Sequence, residues 1–289
     1  MERKASWYIL TAAALWGCIG VFLKLLTAAG LSSMEGVAVR SLVSAVLYGL
    51  FLALTDRSAL RIRPRHWYYF FGTGVCSLVF FNWCYFSAIS RSSMSVAAVL
   101  LYTSPVFVAL MSALFFRERI TVWKLAALVL TFAGCVLVTG LFPLGQQRVS
   151  PSTILLGLGA GFGYALYSIF SKLALKRYSP STITFYTFLF SALGSLPLSR
   201  LWEDASLLLD PRAILGGLGI GVLCCILPYL LYTEGLRWAE PGKAAILATV
   251  EPFVAALIGI FAFHEAVTPY KLLGMAAIFG AILILNRRP

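Results

Sequence analysis

Apolar runs of about twenty residues alternate with short polar joints along the chain. Ten runs can be marked, at 6–28, 34–54, 67–89, 94–115, 121–141, 152–174, 181–199, 213–236, 243–263 and 268–286. They are apolar nearly all round and lack the period-two alternation of a barrel strand, which needs about ten residues. Each reads as a helix long enough for a hydrocarbon layer, which takes about 20 residues. The joints hold turn formers and charges, as in Asp56–His66, Pro143–Pro151 and Lys176–Pro180. The expected fold class is an all-α integral membrane protein with ten transmembrane helices.

Composition narrows the reading. Of 289 residues, 60% are hydrophobic and 12% are charged, against about 25% charged in a soluble domain. Ten spans take roughly 200 to 220 residues, leaving about 70 to 90 for joints and tails, too few for a soluble catalytic domain. The formal charge of +12 comes from 23 Lys and Arg against 11 Asp and Glu. These cations sit mostly in the joints and form no stripe with stacking aromatics, so nucleic acid is not an expected partner. Cys18, Cys76, Cys84, Cys135, Cys224 and Cys225 lie inside apolar runs with no CxxC, so reduced buried thiols are expected. Arg3 and Lys4 precede an apolar stretch, as in a signal peptide, but the run is long and others follow it. A retained first helix is expected.

Placing both termini in the cytoplasm puts 16 basic residues inside and 7 outside. That bias predicts a cell-membrane protein with cytoplasmic termini. The strongest marker is the joint with Arg57, Arg61, Arg63 and Arg65.

The chain also repeats. A shift of 147 brings Tyr85 onto Tyr232, Ala97 onto Ala244, Pro105 onto Pro252, Glu118 onto Glu265 and Lys124 onto Lys271. A shift of 148 brings Lys24 onto Lys172. The halves, 1–145 and 146–289, would each cross five times. Five is odd, so the second half enters from the opposite side, and the repeats are expected to be inverted around a central site.

Three segments carry a family resemblance. The first run holds Ala14-Leu15-Trp16-Gly17 and ends in Lys24. The fourth holds Ala97 to Pro105 (AAVLLYTSP) and closes with Phe116 to Thr121 (FRERIT). The ninth holds Glu251 to Leu257 (EPFVAAL), then Phe263-His264-Glu265. In this order the chain resembles the drug/metabolite transporter superfamily, in particular its EamA-type ten-helix members. The resemblance implies a transporter with a central cavity lined by helices 1, 3, 4, 6, 8 and 9. It leaves the substrate open among amino acids, sugars, nucleotide sugars, toxic cations and other metabolites. The small four-helix relatives couple protons through a Glu in their first helix; the first run here has no acid within the membrane, so that mechanism is not carried over.

Glu251 is the most informative polar residue. About eight residues into the ninth run, it would lie roughly 12 Å along the helix. A carboxyl at that depth faces protein or a water-filled cavity. It is either a proton carrier or a structural carboxyl beside the Pro252 kink. Glu234 is a second coupling candidate, with an ion pair to Arg237 as the competing reading. Asn82 and Tyr85 in the third run match Tyr229 and Tyr232 in the eighth. Tyr164, Tyr167, Ser168 and Ser171 form an i, i+3, i+4, i+7 stripe on the sixth. Trp16 and Tyr102 are further candidate walls. These residues predict a mid-membrane site, aromatic and mostly uncharged; the alternative is ordinary packing or an interfacial belt. Gly17 and Gly20 read as packing residues. Pro105 and Pro252 read as packing kinks or hinges. Lys24 and Arg40 read as snorkelling cations, with substrate-carboxylate recognition or pairing with Glu35 as the alternative. Glu118 and Glu265 are expected in interfacial ion pairs.

The chain has no GxxxxGK[ST], no HExxH joining His66 or His264, and no GxSxG. No cofactor or metal is expected. The reading is a secondary transporter of small organic solutes (an amino acid, metabolite or organic cation), an exporter by resemblance, working by alternating access and proton-coupled through Glu251. Alternatives are an uncoupled facilitator, a membrane-embedded enzyme acting on lipid, and a sensor, which would need an appended cytoplasmic module.

Overall fold

The computed structural model describes residues 2–140 and 149–287. The half boundary at 145/146, Arg148, Arg288 and most of the joint 143–151 lie outside these residues. Among the described residues there is no strand. Eight helical stretches are long and apolar enough to cross a membrane: Arg3–Ala28, Ser33–Thr55, Pro64–Arg91, Met94–Phe116, Pro151–Ala174, Pro180–Ser199, Pro211–Trp238 and Pro241–Phe263. Two shorter apolar helices, Val122–Val138 and Pro269–Leu285, stand where the fifth and tenth runs were marked.

Several stretches are not continuous α-helices. The first is α1 (Glu2–Gly17) and α2 (Ile19–Ala28), joined through a tight turn at Cys18. The second is α3 (Ser33–Thr55). The third is α4 (Trp67–Phe71), a π-helical segment Gly72–Val79, and α5 (Phe80–Arg91). The fourth divides into α6 (Met94–Leu101) and α7 (Ser104–Phe116), followed by α8 (Val122–Val138). Next come α9 (Pro151–Ala174) and α10 (Pro180–Ser199). The eighth run holds α11 (Pro211–Gly219), a second π segment Ile220–Ile226, and α12 (Leu227–Trp238). The ninth divides into α13 (Pro241–Leu247) and α14 (Val250–Phe263), and α15 (Pro269–Arg287) ends the fold.

Local chemistry fixes most starts. Ser32 accepts from the Glu35 N–H while Glu35 accepts from the Ser32 N–H, a reciprocal capping box. Ser93, Thr121, Ser150 and Ser179 cap α6, α8, α9 and α10 with their hydroxyls. Pro151, Pro180, Pro211 and Pro241 stand in first turns, where a missing N–H costs nothing. Pro105 stands likewise at the start of α7, just past the break at Tyr102 and Thr103. The fourth and ninth runs, expected as single helices, are therefore each two helices in line.

Side chains sort by solvent. Leu54, Val122, Leu155 and Phe261 are 85%, 79%, 74% and 76% exposed, as lipid-facing residues require. The largest buried cluster lies where α1, α9, α10, α12, α13 and α14 meet, and holds Trp16, Tyr167, Phe188, Tyr232, Leu236 and Leu247. A Cβ on Gly17 would fall 2.7 Å from Val254 Cβ, so this glycine lets α1 and α14 touch. Gly20 differs from the expectation: nothing lies within 4 Å of where its Cβ would be. The first span meets α14 at Gly17, and Lys24 of α2 reaches it again at Phe263.

Candidate functional site

Trp16 ends α1 just before the turn at Cys18, which places its indole in the middle of the bundle. Its ring lies 5.2 Å from both Tyr229 and Tyr232 and 6.3 Å from Tyr164. Tyr167 lies 4.9 Å from Tyr229 and 6.1 Å from Tyr232. Five of the sequence-chosen aromatics thus form one cage, from α1, α9 and α12. The helical spacing predicted this: Tyr164 and Tyr167 share a face of α9, and Tyr229 and Tyr232 share a face of α12. The cage surrounds a gap of ≈ 10 Å³, bounded also by Ser77, Leu78, Phe81 and Ser168, which is room for about one water molecule.

The hydroxyls are placed unequally. Tyr167 bonds Thr233 Oγ1 at 2.7 Å, and Tyr232 bonds Ser168 Oγ at 2.8 Å. Both pairs are buried and brace α9 against α12. Tyr164 instead donates to Glu251 Oε2 at 3.2 Å. Thr233 was not singled out from sequence, although its i, i+4 spacing from Tyr229 places it on the same face.

A second gap, also ≈ 10 Å³, lies across Tyr164 and is lined by Tyr102, Ser104, Pro105, Thr249 and Glu251 among others. Both helix breaks border it. Glu251 therefore does not stand eight residues into a continuous helix; it is in the first turn of α14, just past the break at Ala248 and Thr249. A carboxyl is favoured at a helix start by the partial positive charge of the free N–H groups.

Asn82 is 2% exposed and does not meet the cage through its own side chain. Its amide donates to Leu78 O at 2.7 Å, and its oxygen accepts from Arg40 Nη2 at 2.9 Å. Arg40 does not snorkel to the surface, nor does it pair with Glu35 among the hydrogen bonds and ion pairs described; it turns inward from α3 to reach Asn82. A half-buried cation thus stands beside a site expected to be mostly uncharged. The Tyr85 ring lies 6.1 Å from Phe81 and 5.6 Å from Phe86, tilted against both, and does not border the gap inside the cage.

The remaining acids are interfacial. Glu234 pairs with Arg237 at 3.1 Å, on the side of α12 away from Tyr232. Glu118 pairs with Lys124 at 2.7 Å and Glu265 with Lys271 at 2.9 Å. Lys24 is exposed and lies 3.1 Å above the centroid of the Phe263 ring. Among the described residues, no group of three His, Cys, Asp or Glu side chains is placed to hold a metal ion.

The two ends of the bundle differ in closure. Toward the end where α1 begins, Ala5, Ile9, Ala12, Ala13, Leu236, Ala244 and Leu247 are fully buried. Toward the other end, Ile19, Arg40 and Phe253 are only partly buried.

The EamA-like transporter family matches the chain twice, over residues 3–140 and 151–287. An uncharacterised transporter of Archaeoglobus fulgidus is 34% identical over 69% of the chain and 70% of its own length. The uncharacterised transporter YwfM of Bacillus subtilis is 28% identical over 98% and 94%. The threonine/homoserine exporter RhtA of Escherichia coli is 31% identical over 69% of the chain and 65% of its own length. One solved crystal structure has the same fold, with a TM-score of 0.81 over 98% of this chain and 96% of the other at 18% identity. The family and these relatives are transporters, not enzymes. With its apolar spans and the double match, the chain is a multi-pass membrane transporter that belongs to the EamA-like transporter family.

Proposed function

We propose that the chain is a secondary exporter of small amphipathic solutes, amino acids among them, in the cell membrane, with both termini cytoplasmic. The carrying observation is one aromatic cage with a carboxyl and a cation at its borders: Glu251 is bonded to it through Tyr164, and Arg40 turns inward to Asn82, whose amide bonds Leu78 O at the edge of the gap. A solute with a carboxylate and an ammonium offers each a partner, while tyrosine and tryptophan faces accept its apolar part. The name of the Escherichia coli relative, a threonine/homoserine exporter, agrees with this class and direction.

Alternating access between two inverted halves, 1–145 and 146–289, is the proposed mechanism. Its support is that irregular features recur near the same shift. The π segments start at Gly72 and Ile220, and breaks follow Leu101 and Leu247. Arg117 and His264 both adopt left-handed backbone, with φ of 58° and 53°. Full burial at the end where α1 begins, with only partial burial at the other, fits an outward-facing state. Glu251 carries the coupling proton: it is the carboxyl bonded to the cage, and its repeat counterpart is Ser104, so symmetry alone does not require an acid there.

Counterflow in proteoliposomes tests this reading, using a pool of radiolabelled amino acids against the unlabelled pool inside. Accumulation above protein-free vesicles is expected, and its loss in Arg40→Gln. Equal label in both kinds of vesicle contradicts it.

A further inference from the structure

Lys172 and Lys24 occupy matching places in the two halves, yet they make different contacts. Lys172 Nζ donates to Leu236 O at 2.6 Å and to Ala239 O at 2.8 Å, tying the end of α9 to the end of α12. Those carbonyls lie in the last turn of a helix, where a cation is most favourable. Lys24 makes no matching tie; its ammonium rests on the Phe263 ring. The carbonyls that correspond to Leu236 and Ala239 are those of Ile89 and Ser92, at the end of α5.

The matching acids differ in the same sense. Glu118 is 5% exposed; it pairs with Lys124 and also accepts from the Gly242 N–H at 3.2 Å, reaching the start of α13. Glu265 is 53% exposed and pairs with Lys271. The position corresponding to Gly242 is Ser95, at the start of α6. One end of the bundle thus has both a lysine and a glutamate tie drawn across it, and the other end has the same two residues withdrawn.

We propose that Lys172 with Glu118, and Lys24 with Glu265, are the latches of two alternating gates. In the opposite state Lys24 leaves Phe263 and donates to Ile89 O and Ser92 O, while Glu265 accepts from the Ser95 N–H. At the same time Lys172 releases Leu236 and Ala239 and rests on Phe116, the counterpart of Phe263. This rests on the alternating-access reading above. Each lysine exchanges two charge-assisted hydrogen bonds for a cation–π contact, so neither state leaves a buried ammonium without a partner.

The test is pulsed electron–electron spin resonance on full-length protein in nanodiscs. Spin labels go at Thr27 and Ser90, both exposed, in a background with native cysteines replaced. Wild type is expected to show a long and a short distance. Lys24→Gln shifts the population toward the long distance, and Lys172→Gln shifts it toward the short one, each by about tenfold or more, the scale of one hydrogen bond to a charged group. Lys24→Arg keeps donors and restores the wild-type ratio. A general loss of stability cannot move the two variants in opposite directions; melting curves report whether each variant is folded. Two wild-type distances that both substitutions leave unchanged, or move the same way, overturn the latches alone. A single wild-type distance that persists in both variants overturns alternating access and the latches with it.

Discussion

Tyr164 donates a hydrogen bond to Glu251 across the space between α9 and α14, at 3.2 Å. The contact joins two otherwise separate gaps and connects the aromatic cage to the carboxyl beside the helix break. It also distinguishes Tyr164 from Tyr167 and Tyr232, whose hydroxyls brace helix against helix.

That difference predicts opposite phenotypes. Tyr164→Phe should weaken substrate binding by roughly 0.5 to 1.5 kcal/mol, one hydrogen bond, with little change in melting temperature. Tyr167→Phe should lower stability by a similar amount, because Thr233 loses its buried partner. Binding titrations and melting curves on both proteins separate the two roles. The reverse pattern would put Tyr167, not Tyr164, at the substrate.

Glu251→Gln keeps volume and hydrogen-bonding capacity but cannot release a proton. The variant should fold normally, and its transport should lose dependence on an imposed pH gradient. The readout is solute flux in proteoliposomes with and without that gradient. Full gradient-driven flux in the variant would make Glu251 structural.

Gly17 and Gly20 separate packing from open space on one face. Gly17→Val meets Val254 directly and should cost about 1 to 3 kcal/mol of stability, the usual penalty for overpacking. Gly20→Ala meets nothing within 4 Å and should leave the melting temperature unchanged.

The topology gives a prediction at Ser58, exposed in the joint that carries Arg57, Arg61, Arg63 and Arg65. A cysteine there should react with an impermeant thiol reagent in inside-out vesicles and stay unlabelled on intact cells.

Much of the architecture was legible because lipid imposes a simple rule on sequence. A run of about 20 apolar residues has to be a helix, and charges have to gather at its ends. That Glu118 and Glu265 would enter interfacial ion pairs followed from their places at such ends, and the structure pairs them with Lys124 and Lys271. The cage was legible because tyrosines at helical spacing in an apolar run have to face protein. What was not legible depended on contacts distant in sequence. Arg40 resembles any interfacial arginine until Asn82, 42 residues away, is seen to accept from it. The breaks at 102–103 and 248–249 fall inside unbroken apolar runs, and only Pro105 and Pro252 hint at them. Gly17 and Gly20 are alike in sequence, and only the close approach of Val254 to Gly17 distinguishes them.

The central claim is a site between the two halves that is reached from one side at a time, and Ala13 and Gly20 report on it most directly. They lie seven residues apart on one face of the first span, on either side of Trp16; Ala13 is fully buried and Gly20 is exposed. In protein lacking its native cysteines, Gly20→Cys should react with an impermeant thiol reagent added to intact cells, and Ala13→Cys should not. Labelling of Ala13→Cys from outside, or of Gly20→Cys only from the cytoplasmic side, would contradict the account.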